Sequence, residues 1–372
     1  MKRVVWVLVL LLCLGAPRQA AASVSVSAQS AVLYLPQSGT LLYQKQAHEP
    51  RPMASTTKLM TALLLAEALP ADQTVTVPAA ALPAEGSSMG LRAGDTLTVR
   101  DLLAGMLLAS GNDAANAAAC IVAGSQAAFA EQMNARALQL GMNNTLFVTP
   151  SGLDKGEHHS TAYDMALLGA AVMQHPLLRE ICATKNTTAA VSGRTVWLQN
   201  HNRLLSLYPH AVGLKTGFTK KAGRCLVSAA EKDGVLLIAV TLSAPDDWND
   251  HIALYNDGFA RAARQPLPPP LLPAVPLIGG EQDTVALQAQ PLPDAVVLQG
   301  ETLQWEYHLP ARLFAPVTAG QRVGAVHIRA GERTVAVLDV TVSQSVAARA
   351  PHGFFQKVAH TWCLLLQDIF VL

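Results

Sequence analysis

MASTTKLMTALLLAEAL, residues 53–69, is the stretch on which the fold turns. Leu59, Leu63 and Leu64 recur at helical spacing behind a Ser/Thr-rich start, which predicts a buried helix with Ser55, Thr56 and Thr57 at its N-terminus. Residues three apart on a helix share a face, so Ser55 and Lys58 are expected to meet one turn apart, a hydroxyl beside an amine. A serine hydroxyl is a weak nucleophile until a base takes its proton, and an amine is a base only when neutral. Burial, the positive end of the helix dipole and a second cation nearby would each lower the pKa of Lys58. Ser-x-x-Lys alone also fits a helix cap beside a solvated lysine, so other segments must decide.

Just upstream, AVLYLPQSGTLLYQKQ (residues 31–46) reads as a β-hairpin around Pro36-Gln37-Ser38-Gly39, short enough to be a sheet edge. Downstream, residues 70–185 read as mostly helical. DLLAGMLLASGNDAANAAACIVAG, from Asp101, gives a helix, a break at Ser110-Gly111-Asn112 and an alanine-rich helix from about Asp113. QAAFAEQMNARALQLGM adds an amphipathic helix, and Thr161 with Asp164 forms a capping box that reads as structural. Strands return after residue 190 in TVWLQN, AVGLKTG, GRCLVSAAE and VLLIAVTLS, and DDWNDHIALYNDGFARAAR closes the region as a helix. A sheet whose strands lie at both ends of this region contains the helices as an insertion. The expectation is an α/β (α+β) fold, an antiparallel sheet flanked by helices.

The chain has 372 residues, 27 basic and 26 acidic, and its net charge of +1 gives no electrostatic reason to expect nucleic acid. Lys2 and Arg3, the apolar run VVWVLVLLLCLGA and Ala20-Ala21-Ala22 read as a secretory signal peptide over residues 1–22, which implies function outside the cytoplasm. Residues 23–264 are then the expected catalytic domain, QPLPPPLLPAVP (265–276) a proline-rich linker, and 277–345 a small β-sandwich that serves as spacer or partner-binding module. In GFFQKVAHTWCLLLQDIFVL the apolar residues Phe355, Val358, Trp362, Leu365 and Ile369 share one helical face and Lys357, His360 and Asp368 the other. Residues 349–372 therefore read as an amphipathic helix lying in a membrane interface, since a span would put Asp368 or Lys357 in lipid or at its edge. Cys120, Cys182, Cys225 and Cys363 are widely spaced in apolar contexts and read as buried free thiols. His158-His159 and the other histidines lack metal-ligand spacing and read as turn and surface groups.

Three motifs then agree: Ser55-Thr56-Thr57-Lys58, Ser110-Gly111-Asn112 and Lys215-Thr216-Gly217 stand in the order Ser-x-x-Lys, Ser-x-Asn, Lys-Thr-Gly. They fall at a helix start, an interhelix loop and a strand. With GLKTGFTKKAGRCLV and STAYDMA around them, the chain resembles the low-molecular-mass penicillin-binding proteins, the D-alanyl-D-alanine carboxypeptidases of bacterial cell-wall metabolism. The resemblance covers nearly the whole chain and implies a β-lactamase/transpeptidase-like catalytic fold.

By that resemblance, Ser55 attacks the carbonyl of the penultimate D-alanine, Lys58 accepts its proton, and Ser110 relays a proton to the leaving D-alanine. Asn112 orients Lys58 and the substrate amide, while Lys215 and Thr216 hold the terminal carboxylate. Backbone N–H groups of Ser55 and Phe218 would form the oxyanion site, and Gly217 would let substrate backbone approach the strand. The implied partners are a stem peptide ending in D-Ala-D-Ala, β-lactams as covalent inhibitors and a membrane surface; no metal or organic cofactor is implied. A serine β-lactamase is the nearest rival, but Glu131, Glu157 and Glu180, the glutamates between Asn112 and Lys215, lack the Glu-x-x-Leu-Asn setting by which the class A enzymes are recognised. A catalytically quiet wall-binding scaffold would have no need of Ser55 and Lys58 together.

Overall fold

Strand β1 (Ser30–Leu35) is buried along its whole length because each of its faces meets a different core. Val32 and Tyr34 pack into one apolar cluster, and Ala31, Leu33 and Leu35 into another. The strand therefore runs between two helical layers. A computed structural model describes residues 24–292 and 294–350, together with Trp362. The expected signal peptide, Cys363 and nearly all of the expected interfacial helix lie outside these residues.

β1 and β2 (Thr40–Lys45) form the predicted hairpin. A 3-10 turn (Ala54–Thr57) then runs into α1 (Lys58–Ala68). The insertion begins with a small hairpin absent from the sequence reading, β3 (Thr74–Thr76) and β4 (Thr96–Thr98). It continues with α2 (Val99–Leu107), α3 (Asn112–Ala123), α4 (Gln126–Gln139), α5 (Ala162–Gln174) and α6 (Pro176–Ala183). A second small hairpin, β5 (Asn186–Val191) with β6 (Arg194–Gln199), and the short α7 (Leu204–Leu207) lead to β7 (Ala211–Thr219), β8 (Gly223–Lys232), β9 (Val235–Leu242) and α8 (Asp247–Arg261). The five-stranded antiparallel sheet has the order β2-β1-β9-β8-β7, so the hairpin lies at one edge and β7 at the other. α5 and α8 cover opposite faces. Each helix presents a glycine to the sheet: a Cβ on Gly169 would lie 3.0 Å from Ile238, and one on Gly258 would lie 2.6 Å from Leu33.

Beyond α8 the chain is β-rich. β10 (Ala262–Gln265) pairs with a strand of the following region, β14 (Ala295–Leu298). β11 (Val275–Ile278), β12 (Thr284–Val285) and β16 (Leu313–Phe314) make a three-stranded mixed sheet. β13 (Leu287–Ala289), β15 (Leu303–His308), β17 (Arg322–Ala330) and β18 (Arg333–Val342) make a four-stranded antiparallel one. Leu267, in the proline-rich segment, is buried with Val297, Ile328 and Leu338. Among the described residues no helix is long and apolar enough to cross a membrane.

His251 of α8 is fully buried against the sheet, within 2.6 Å of Ser228 Oγ and 2.9 Å of Thr241 Oγ1. Burial lowers its pKa from 6.5 to about 3, so the folded protein refuses a proton that the unfolded chain accepts. The stability this supplies is complete above pH 6.5 and is lost progressively as pH falls toward about 3. Denaturant unfolding across this range should show a falling free energy, with a shallower slope in His251→Gln.

Candidate active site

Ser55 sits in the 3-10 turn, and α1 begins only at Lys58. Neither the 3-10 turn nor α1 has a side-chain N-cap hydrogen bond. Thr56 and Thr57 donate their hydroxyls back to the carbonyls of Met53 and Ala54, at 2.6 and 2.8 Å. A 3-10 turn has three residues per turn, so side chains at i and i+3 eclipse, and Lys58 stands directly over Ser55. Ala54 holds a left-handed φ of 48°, a conformation that needs external support.

His158 supplies part of that support. It was expected among the surface groups but is buried. The N–H of Val148 donates to its Nδ1 at 2.9 Å, so the neutral ring carries its proton on Nε2 and donates to Thr57 Oγ1 at 2.8 Å. Burial lowers its pKa to about 4, which keeps this tautomer in place at neutral pH. Gly152 supplies the rest, since a Cβ there would lie 2.0 Å from the carbonyl oxygen of Ala54.

Lys58 is fully buried, and its Nζ lies 2.9 Å from Ser55 Oγ, 2.6 Å from Asn112 Oδ1 and 2.6 Å from the carbonyl oxygen of Ser151. Asn112 Nδ2 donates to the carbonyl of Glu85 at 2.6 Å, which fixes its amide with the oxygen toward Lys58. Two of the three partners are thus pure acceptors. A neutral amine has two N–H bonds to give them and one lone pair, which is left facing the one partner that can donate, Ser55. Burial sets the pKa of Lys58 well below 10.5; the nearby Lys215 lowers it further and Asp113 opposes them.

The second wall is built at the α2–α3 junction. Ser110 adopts a left-handed φ of 59° and lines the cleft. Asp113, in the first turn of α3, accepts the backbone N–H groups of Met89, Gly90 and Leu91 at 3.1, 3.0 and 2.9 Å. It thereby fastens the loop whose Ser87 carbonyl accepts the Asn112 N–H at 2.7 Å. Gly111 leaves room for this carboxylate, as a Cβ there would lie 2.7 Å from Asp113 Oδ1.

The third wall is edge strand β7. Thr216, Gly217 and Phe218 line the same cleft of about 600 Å³ as Ser55 and Ser110. Gly217 was expected to make room for substrate; its nearest neighbours are instead the nucleophile turn itself, since a Cβ would lie 2.9 Å from Met53 O and 3.0 Å from Ser55 N. Lys215 is buried beneath the strand, its Nζ donating to the Thr216 carbonyl at 3.0 Å, and burial lowers its pKa to about 8. Cys182 and Cys225, buried free thiols as expected, have pKa values pushed up to about 12. Among the described residues no group of His, Cys, Asp or Glu is arranged to hold a metal ion.

The eight residues named from sequence thus occupy one locality, with Ser55, Lys58 and Asn112 in direct contact and Lys215 behind the lining. Sequence reasoning missed Ser151, which acts through its carbonyl, and Asp113, adjacent to a motif residue. It also missed Ser87, His201, Arg203, Arg224, Asp247 and Trp248, which line the rest of the cleft. Backbone acceptors carry no side-chain signal. Asp113 was findable only as a polar position beside a motif, and Gly152, far from all three motifs in the chain, carried no signal.

By sequence, residues 17–246 match the peptidase S11 family, D-alanyl-D-alanine carboxypeptidase. The chain is 31% identical over 350 residues to the D-alanyl-D-alanine carboxypeptidase DacF of Bacillus subtilis, covering 90% of both proteins. It is 34% identical over 363 residues to DacC of Escherichia coli, covering 92% of this chain and 89% of that one. In structure it is similar to penicillin binding protein 5 from Haemophilus influenzae, with a TM-score of 0.70, 28% identity, and coverage of 87% of this chain and 98% of that one. The DacD carboxypeptidase of Francisella tularensis gives a TM-score of 0.65 at 26% identity, covering 88% of this chain and 95% of that one.

Gly152 and Gly156 both have positive φ, 85° and 55°, but a Cβ on Gly156 meets open space. Gly156→Ala should therefore cost only about 1 kcal/mol, the strain of φ alone, whereas Gly152→Ala, which also displaces the Ser55 turn, should cost more than about 2 kcal/mol in urea unfolding.

Proposed function

This chain belongs to the D-alanyl-D-alanine carboxypeptidase family, and we propose that it removes the terminal D-alanine of peptidoglycan stem peptides through an acyl-ester on Ser55. The observation that carries this reading is the buried Lys58 amine, 2.9 Å from Ser55 Oγ, with its other partners restricted to acceptors. Neutral Lys58 takes the Ser55 proton as Oγ bonds to the carbonyl carbon of the penultimate D-alanine. The backbone N–H groups of Ser55 and Phe218 receive the developing oxyanion; Ser55 N is only 3.0 Å from the Cβ position of Gly217, which adjoins Phe218. Collapse breaks the C–N bond. The Lys58 ammonium passes its proton through Ser110 to the leaving amine, helped by Lys215; water then attacks the ester with Lys58, neutral again, taking its proton and returning it to Ser55 Oγ as the ester breaks.

Asn112 orients Lys58, and Lys215 with Thr216 holds the substrate's terminal carboxylate. A penicillin carries a similar carboxylate beside a reactive amide, so β-lactams acylate Ser55 in the same way. The substrate places the protein on the cell-wall side of the cytoplasmic membrane, reached by the signal peptide over residues 1–22. Residues 349–372 hold it to the membrane surface as an amphipathic helix. Residues 277–345 form a spacer or partner-binding β-domain.

Ser55→Ala should release no D-alanine from a peptide ending in D-Ala-D-Ala and form no adduct with a fluorescent penicillin, while keeping a cooperative unfolding transition; adduct formation by this variant would remove Ser55 as nucleophile. Two lysines set the pH profile. kcat/KM rises as Lys58 becomes neutral, and falls as pH climbs through about 8 and Lys215 loses the charge that attracts a carboxylate. D-Alanine release followed against pH should show that alkaline limb, displaced upward in Lys215→Arg.

A further inference from the structure

The β5–β6 ribbon has one face that the fold does not use. Ala189, Val191 and Leu198 on its inner face are buried in the helical core, and Val196 packs against that core. Alternation puts Asn186, Thr188 and Ala190 of β5 with Thr195, Trp197 and Gln199 of β6 on the other face, and all six are exposed. Trp197 stands at the middle of this face, directly opposite Thr188, with Asn186 and Ala190 on its diagonals. It is 66% exposed. A single exposed apolar side chain is ordinary on a protein surface. This one is set apart by its company, four neutral hydrogen-bonding side chains and an alanine, without a charge among them. Exposed strand edges are commonly guarded by charge, and here that guard is missing where the aromatic is presented.

The face is also held rigid. At the tip of the ribbon Ser192 exchanges two hydrogen bonds with Thr96, each of 2.9 Å, and Arg194 pairs with Asp95. At its base Asn200 Nδ2 donates to the carbonyls of Cys182 and Thr184, at 3.2 and 3.0 Å. From this base the chain runs directly into the cleft. The N–H of His201 donates to the carbonyl of Leu108 at 3.4 Å, in the segment that leads into Ser110, and His201 and Arg203 line the cleft. Trp197 and His201 are four residues apart, no more than about 14 Å of chain. An extended peptide of four residues covers a similar distance, so a stem peptide in the cleft brings the sugar that bears it within range of the ribbon.

We propose that the exposed face of β5–β6, centred on Trp197, binds carbohydrate, namely the glycan strand of the polymer whose stem peptide enters the cleft. An N-acetylated hexose has a flat face of C–H groups and a rim of hydroxyl and amide groups. An indole covers the first with little loss of conformational freedom, and Asn, Thr and Gln side chains meet the second. Glycan carboxyls joined to stem peptides carry no charge, which matches a face that carries none. A membrane surface calls instead for several apolar side chains with lysine or arginine beside them, and this face has neither. The identity of the glycan rests on the carboxypeptidase reading; to that reading the platform adds a preference for polymer over free peptide.

The test compares kcat/KM for D-alanine release from a free peptide ending in D-Ala-D-Ala with that from the same peptide carried on soluble glycan chains. Calorimetric titration with glycan chains stripped of their peptides by an amidase measures the platform without catalysis. The wild type should favour the polymer and bind the stripped chains. Trp197→Ala should lose polymer preference and glycan affinity by on the order of tenfold, the scale of one aromatic anchor, with the free peptide turned over as before. Trp197→Phe should keep part of both, and Leu138→Ala, which removes an exposed apolar side chain from α4, should change neither. A polymer preference unchanged in Trp197→Ala would overturn the proposal, as would an equal fall on both substrates or a loss of binding to phosphatidylglycerol vesicles in place of glycan. A wild type that releases no D-alanine from either substrate would defeat the carboxypeptidase reading, and the titration would still decide whether the face binds glycan.

Discussion

The structure depends on burying an amine without burying its charge. An ammonium as enclosed as that of Lys58 would lose its hydration for contacts with two carbonyl-type oxygens and a hydroxyl, beside another buried lysine. Desolvation and Lys215 both resist that, and the proton is the component free to leave. What remains is a base whose two N–H bonds are assigned by Asn112 and Ser151 and whose lone pair has one direction left. The reactive property of Ser55 is therefore a consequence of how three distant segments pack, more than of the serine.

Each of those segments is held by a different physical device. The 3-10 turn with Ser55 is pinned by back-bonding threonines, a neutral buried His158 and two glycines, Gly152 and Gly217, that pack directly against its backbone. The α2–α3 junction is organised by one carboxylate, Asp113, that gathers backbone donors from the facing loop. β7 is an edge strand and so leaves one side open to the cleft, while its other side is paired to β8 in the core of the sheet. A rigid two-faced sheet, clamped by α5 and α8 through close glycine contacts, keeps the third wall in register with the first two.

Much of this was legible in the sequence. Long periodic segments gave α1, α3, α4, α5 and α8, and apolar runs gave β1, β7, β8 and β9, because burial on known faces leaves a pattern in the residues. β6 was read as a strand in TVWLQN, but its partner β5 and the hairpin β3–β4 were not: β3 and β4 are only three residues long, and β5 is built of Asn, Thr and Ala with a single large apolar residue, Val191, so the sequence carries little apolar alternation there. Ser55, Lys58, Ser110, Asn112 and Lys215 were findable because their spacing repeats a known triplet. The hydrogen-bonding reason for Thr56 and Thr57, the burial of His158 and the role of Gly217 against Met53 and Ser55 were not, since each depends on a neighbour far away in the chain. The cleft residues Arg224, Asp247 and Trp248 were hidden for the same reason.

The most direct measurement is the protonation of one amine. Lysines labelled at Nζ and Cε, with Lys58 assigned by its absence in Lys58→Arg, can be titrated by NMR in the intact protein. Lys58 should titrate well below 10.5, and its midpoint should rise when Lys215 is replaced by methionine, because a repelling charge is gone. A midpoint at the ordinary lysine value near 10.5, unmoved by that replacement, would mean the amine is a charged solvated group at neutral pH, and Ser55 would have no base.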